Sequence, residues 1–117
     1  MVEPPDFWRD LDALASGHRQ IIERPAHSRH PRSPQSVYPL DYGYLEGTRT
    51  NDGAAVDIWC GSLGHRDVVG VVCTVDRVKN DVEMKLLLGC SGADLEAIRQ
   101  FFHGLNMSCF VWQREQP

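Results

Sequence analysis

Four carboxylates and one lysine stand at positions that strand or turn structure alone does not require. Asp57 interrupts an apolar strand pattern, Asp76 ends the longest apolar run, and Asp52 lies in a turn signal. Glu83 and Lys85 are two residues apart, so a strand that contains both places them on one face. Carboxylates that several strand ends bring together form sites for hard cations, usually magnesium with phosphate as co-ligand. Each acid alone is also explained as a solvent-facing strand residue or, for Asp52, as a common turn former.

The basic residues are unusual in type and in position. Ten of the twelve are arginine, and residues 24–36 contain three arginines, two histidines, three prolines and no acid. Arginine binds phosphate or carboxylate through two parallel hydrogen bonds, so Arg29 and Arg32 are candidate phosphate-binding residues. A solvated proline-rich loop explains the same composition equally well.

The elements that must position these residues are a helix, several short strands, a second helix and a last strand. Apolar spacing predicts a helix over 6–16 with Asp6 as its N-cap, and a second helix that begins at Ser91 and ends at Gly104. Strands are predicted at 21–22, 42–45, 56–60, 68–75, 83–88 and 109–112, whereas the prolines of 25–39 oppose regular pairing. This order predicts a mostly β, α+β fold class: a small barrel, or a strongly bent sheet, with a packed helix.

Composition limits the class of protein. With 117 residues, 42% hydrophobic and 24% charged, the chain is predicted to be one soluble globular domain. A net charge of −4 disfavours a general nucleic-acid binder, and no apolar run approaches the length of a membrane span. The four cysteines have no zinc-site spacing. Because the first residues carry Glu3 and Asp6 and lack the basic and then apolar pattern of a secretory signal, we expect reduced thiols and a cytoplasmic location.

Residues 38–57 resemble the soluble inorganic pyrophosphatases of the barrel, OB-like family. The stretch 38–44 reads Tyr-Pro-Leu-Asp-Tyr-Gly-Tyr, where that family has Tyr-Pro-x-x-Tyr-Gly-aromatic. Asp52-Gly53 and Asp57 match the first two residues and the last residue of the family's Asp-Gly-Asp-x-x-Asp motif. Glu83-Met84-Lys85 corresponds to its Asp-x-Lys motif. The similarity keeps the same motif order over roughly residues 21–102.

This resemblance implies a single domain over 1–117: an OB-like closed β-barrel with the C-terminal helix packed on it and residues 1–20 as a helical extension. It implies Mg²⁺-dependent hydrolysis of a phosphoanhydride, most simply pyrophosphate to two phosphates, and a possible homo-oligomer. The implied catalytic residues are Asp57, Tyr42 and Lys85. The implied metal ligands are Asp52, Asp57, Asp76 and Glu83; the implied substrate contacts are Tyr38, Tyr42 and Lys85, with Arg29 and Arg32 as replacements for lost lysines and Glu23 at the rim.

The sequence also departs from the family pattern. Ala54 replaces the middle carboxylate of the Asp-Gly-Asp motif, Leu105-Asn106 replaces a phosphate-binding Tyr-Lys pair, and the Lys-Tyr-Glu hairpin is missing. The alternative is therefore a trimmed, non-catalytic domain that binds a phosphorylated ligand or partner. A third class, an OB-type nucleic-acid binder, is opposed by the acidic net charge. If the chain is a hydrolase, we expect Ala54→Asp to raise pyrophosphate hydrolysis and Asp57→Asn to abolish it.

Overall fold

Within residues 4–115, which are those that the computed structural model describes, the chain forms two helices and six strands. In chain order these are α1 Pro5–Ser16, β1 Gln20–Arg24, β2 Asp41–Leu45, β3 Val56–Cys60, β4 Val68–Asp76, β5 Asp81–Leu88, α2 Gly92–Gly104 and β6 Ser108–Gln113. The predicted order of helices and strands and the α+β class are confirmed.

The six strands form one mixed sheet in the order β1-β2-β3-β5-β4-β6. Only β3 and β5 run parallel, and the other neighbours are antiparallel. In the described part of the chain β1 and β6 do not pair with each other, so the closed barrel is wrong and the sheet is open. Closure would need backbone pairing between these two edge strands, whereas the segment between β1 and β2 pairs with itself through the isolated bridge of Arg29 with Val37.

The core lies on both faces of this sheet, with one helix on each. In β5, Leu86 and Leu88 pack on the α1 side whereas Leu87 packs on the α2 side, as strand alternation requires. The α1 side buries Trp8, Leu11 and Ala15 of the helix against Leu45, Ile58 and Val71 of the sheet. The α2 side buries Leu95, Ile98, Phe101 and Phe102 against Trp59, Val72 and Leu87.

The helix ends differ in how their first amides are satisfied. Asp6 is not the N-cap, because α1 begins at Pro5 after Pro4, and Asp6 lies in the first turn, 2.9 Å from Arg9. Proline suits the first helical position since it has no amide hydrogen that needs an acceptor. Ser91 caps α2 and forms a capping box with Asp94. Among residues 4–115, neither helix has the length and apolar content needed to cross a membrane.

Candidate functional site

A cavity of about 490 Å³ opens on the α2 face of the sheet. Strand alternation places Asp57 on the same face as Trp59, and Lys85 and Glu83 on the same face as Leu87, which packs against α2. The segment between β1 and β2 and the turn between β4 and β5 complete the walls. The charged residues that line the cavity are Glu23, Arg24, Arg32, Asp57, Asp76, Lys79, Asp81, Glu83 and Lys85.

A larger cavity, of about 690 Å³, lies elsewhere on the molecule, between α1 and the start of β4. Its charged lining residues include Asp12, Arg66 and Arg114. Two of these are paired, since Arg114 binds Asp12 through both guanidinium nitrogens at 2.8 and 3.0 Å. None of the site residues proposed from the sequence lines this cavity, whereas most of them line the smaller one.

Lys85 is a buried cation at the centre of the smaller cavity, 5% exposed. Its Nζ donates to Glu83 Oε1 at 2.9 Å and to Asp57 Oδ2 at 3.2 Å, and it lies 5.6 Å from the centre of the Tyr42 ring. The Tyr42 hydroxyl donates to the same Asp57 Oδ2 at 2.6 Å. Because a buried ammonium is costly without counter-charges, the two carboxylates stabilise Lys85 at this buried position.

The two tyrosines of the cavity are neutral hydrogen-bond donors. Burial, followed by the nearby Asp57 carboxylate, raises the pKa of Tyr42 far above its usual value. Burial also raises the pKa of Tyr38, although the guanidinium of Arg24 acts in the opposite direction. Both phenols therefore keep their protons at any physiological pH and can donate to an anion or hold Asp57 in place.

Three cations of the cavity lining act on His30. Burial, and then the charges of Arg24, Lys79 and Arg32, lower the pKa of His30. The ring of His30 is stacked on Tyr38, with centroids 6.0 Å apart. Arg24 is fixed there by the sheet, because its register partner in β2 is Tyr42. This part of the cavity therefore presents positive potential and a neutral imidazole.

The β4–β5 turn brings both acids and a cation to the cavity lining. Asp76 Oδ1 accepts hydrogen bonds from the amides of Val78 at 2.9 Å and Lys79 at 3.1 Å, so this carboxylate shapes the turn. Desolvation, and then the charges of Glu83 and Asp76, raise the pKa of Asp81, whereas the charge of Lys79 acts in the opposite direction. The turn therefore adds Asp76, Lys79 and Asp81 to a lining that already holds Lys85.

The residues present do not fit a preformed magnesium site. Among residues 4–115, no group of three or more His, Cys, Asp or Glu side chains is placed to hold a metal ion. Asp57 and Glu83 both accept from Lys85, and Asp76 accepts from two backbone amides. Asp52 does not line the cavity; its Oδ1 accepts from Thr50 Oγ1 at 2.6 Å and from the Ala54 amide at 3.0 Å. The four-ligand set implied by the resemblance is therefore not assembled.

The other residues implied by the sequence are divided between the cavity and the surface. The cavity lining includes Glu23, Arg32, Tyr38 and Tyr42. It also includes Leu105, one of the two residues that replace the phosphate-binding Tyr-Lys pair. Arg29 is exposed and outside it, with Nη1 donating to the Pro34 carbonyl at 2.8 Å. Ala54 is likewise exposed and outside the lining.

Sequence reasoning missed four titratable residues of the lining: Arg24, His30, Lys79 and Asp81. Lys79 and Asp81 could have been found, because they occupy the turn between Asp76 and Glu83 and must follow those acids to the cavity. Arg24 and His30 belong to the cationic segment that composition singled out. Its fold over Tyr38 depends on backbone bonds between 27–30 and 36–38 that no local pattern indicates.

Comparisons with known proteins identify the fold. No family model and no curated protein matches the sequence. An inorganic pyrophosphatase from Coxiella burnetii superposes with a TM-score of 0.58 and 19% identity, covering 83% of this chain and 84% of that one. The chain has a pyrophosphatase-like fold. An inorganic phosphatase from Anaplasma phagocytophilum agrees, with a TM-score of 0.52 and 16% identity over 80% of this chain and 81% of that one.

Proposed function

We propose that the cavity on the α2 face binds a small phosphoanhydride, with inorganic pyrophosphate as the simplest member of the class. The observation that carries this proposal is that Arg24, Arg32 and Lys79, whose charges all act on His30, line a cavity that holds a fourth cation, Lys85. Four cations in the lining of one cavity favour an anion with several negative oxygens.

The remaining groups of the cavity suit the same ligand. Guanidinium groups pair with phosphate oxygens in a planar, bidentate way, whereas an ammonium group acts as a point charge. Tyr38 can donate from its neutral hydroxyl, and Tyr42 and Asp57 keep Lys85 oriented towards the cavity. Because the ligand would be partly removed from water, each of these contacts would be stronger than on an exposed surface.

Magnesium-dependent hydrolysis of pyrophosphate is the second candidate. It is favoured because one cavity is lined by Asp57 and Lys85, which the resemblance implies for catalysis, and by Asp76 and Glu83, which it implies as metal ligands. The hydrogen bonds that already occupy Asp57, Asp76 and Glu83, and the position of Asp52, place hydrolysis behind binding.

Two measurements on the full chain test these candidates. Titration calorimetry with pyrophosphate, with and without Mg²⁺, measures binding, and a phosphate-release assay measures turnover. Binding without release supports the first candidate, and Mg²⁺-dependent release that Asp57→Asn abolishes supports the second. If Ala54→Asp also raises the rate, the 50–54 turn reaches the ligand. No heat of binding and no phosphate release would refute both candidates.

The same proposal includes a cytoplasmic single-domain protein and a possible homo-oligomer. Cys60, Cys73, Cys90 and Cys109 are all free thiols, which is the state kept by a reducing compartment. Light scattering coupled to size-exclusion chromatography measures the oligomeric state.

A further inference from the structure

One wall of the cavity is apolar and comes from a single short segment. Phe102, Leu105 and Met107 line it, and the amides of Leu105 and Met107 both donate to the Phe102 carbonyl at 3.0 Å. These bonds fold the end of α2 into a compact turn before β6. Phe101 and Val78 extend the apolar surface on either side of that turn.

The volume of the cavity and the apolar character of this wall exceed what bare pyrophosphate requires. A cavity of about 490 Å³ lies within the range of roughly 300–1,000 Å³ in which proteins bind drug-sized ligands. Pyrophosphate carries polar oxygens on every side, so it would leave the apolar wall in contact with water. A ligand that also covers this wall would gain hydrophobic free energy that pyrophosphate cannot.

The position of the charges orients such a ligand. Ser108 pairs with Val75, so Met107 and Asp76 are next to each other where β6 and β4 meet the cavity. Asp76 lies beside Met107 and repels a phosphate group there, whereas Arg24 and Arg32, whose charges act on His30 beside Tyr38, attract one. An uncharged group has no such conflict with Asp76.

We propose that the preferred ligand is an organic diphosphate ester, with its phosphates at the cations and a hydrocarbon substituent on the wall formed by Phe102, Leu105 and Met107. This inference rests on the proposed function and specifies its ligand. The uncharged polar side chains of the lining, Ser33, Tyr38, Tyr42 and the neutral imidazole of His30, come from segments other than the one that forms this wall. A ribose or a base placed on the apolar wall would therefore lose hydrogen bonds to water without replacement.

The inference is tested by calorimetry with three probes: pyrophosphate, geranyl diphosphate and ADP. We expect geranyl diphosphate to bind about tenfold more tightly than pyrophosphate, and ADP to bind no more tightly than pyrophosphate. Excess pyrophosphate should displace geranyl diphosphate, because the two share the cationic end.

Met107→Gln, a change of similar size, should weaken geranyl diphosphate about tenfold more than it weakens pyrophosphate. Met84→Gln is the matched control. Met84 is 40% exposed and outside the cavity lining, and this variant should bind both probes as the wild type does. If Met107→Gln does not fold, Val78→Ser at the exposed hairpin replaces it.

The possible failures are distinct. If pyrophosphate binds and geranyl diphosphate binds no more tightly, the ester is excluded while the proposed function stands. If ADP is the tightest probe, the hydrocarbon substituent is wrong. If geranyl diphosphate binds but pyrophosphate does not displace it, the lipid is held elsewhere and the inference fails. If no probe binds, the proposed function fails as well.

Discussion

At the scale of single residues, two arginines three positions apart in one loop have different surroundings. Arg32 lines the cavity and acts on His30, whereas Arg29 donates to the Pro34 carbonyl outside it. We expect Arg32→Ala to weaken pyrophosphate binding about tenfold, the value of one charge-assisted hydrogen bond. Arg29→Ala is the matched control and should leave the dissociation constant unchanged. Equal losses in calorimetry for both variants would contradict the assignment of Arg32 to the cavity.

Thr74 has a buried hydroxyl with no hydrogen-bond partner among the described residues. It is 1% exposed and lies in β4 directly across from Glu83. Valine has nearly the same shape without the polar atom, so Thr74→Val should raise the free energy of unfolding by about 1 kcal/mol. Urea denaturation measures the change.

Thr48→Val is the control for this prediction. The Thr48 hydroxyl donates to the Leu45 carbonyl at 2.7 Å and accepts from the Val56 amide at 3.0 Å. Its removal leaves both partners unsatisfied and should lower the free energy of unfolding by about 1–2 kcal/mol. Destabilisation of the Thr74 variant would instead indicate a partner, such as an ordered water, for that hydroxyl.

The sequence predicts those features of the site that depend on residues close together in the chain. Glu83 and Lys85 share a face because side chains alternate along a strand, and Lys85 Nζ lies 2.9 Å from Glu83 Oε1. Asp57 lies on that face for the same reason. Asp52 matched a motif equally well, but its carboxylate is used within its own turn by Thr50 and Ala54. Motif spacing cannot distinguish these two uses of an aspartate.

At the scale of elements, helices were predictable and sheet closure was not. Ser91 and Asp94 mark the start of α2 in the sequence and form its capping box in the structure. The strand segments were also found, since their apolar patterns are local. Whether β1 meets β6 depends instead on residues far apart in the chain and on the length of the connection between β1 and β2.

Asp94 fastens the start of α2 to the loop after β3. Its Oδ2 accepts at 2.8 Å from the Ser62 amide, the Ser62 hydroxyl and the Ser91 amide. Burial alone would raise the pKa of Asp94, but these hydrogen bonds outweigh burial and the pKa lies below 3.8. The ionised form therefore stabilises the fold above pH 3.8, and this contribution is lost as the pH falls through the lowered value.

We expect Asp94→Asn to lower the free energy of unfolding by about 2 kcal/mol at neutral pH, because a buried charged acceptor is replaced by a neutral one. The difference from the wild type should shrink as the pH falls below about 3.8. Denaturant titrations across this pH range measure both effects. Glu96→Gln is the control, since Glu96 is exposed and its pair with Arg99 spans 3.5 Å on the surface. A pH-independent difference for Asp94→Asn would rule out the role given to its charge.

At the scale of the whole molecule, the sheet has a separate hydrophobic core on each face. If the two cores unfold together, residues 1–20 are part of the domain, and if the α1 core unfolds alone, they are a separable extension of it. Leu11 and Trp8 of α1 cover Ile58 and Leu86 from one side, so α1 is part of the core that the sheet requires. Ile98 of α2 packs on the other side against residues of the same strands. The strands β2 to β6 each contribute to both cores, so loss of either face should weaken the pairing that the other needs.

We therefore expect Leu11→Ala and Ile98→Ala to destabilise one cooperative unit, by about 2–3 and about 3–5 kcal/mol respectively. Ile98 is fully buried whereas Leu11 is 9% exposed, which explains the larger effect at Ile98. Amide hydrogen exchange resolves the two helices: in either variant, the slowest amides of α1 and α2 should lose the same protection, because both exchange by global unfolding. Arg99→Ala, on the exposed side of α2, is the control and should change protection little. Should Leu11→Ala release α1 while α2 keeps its wild-type protection, residues 1–20 would be a separable extension of an otherwise stable sheet.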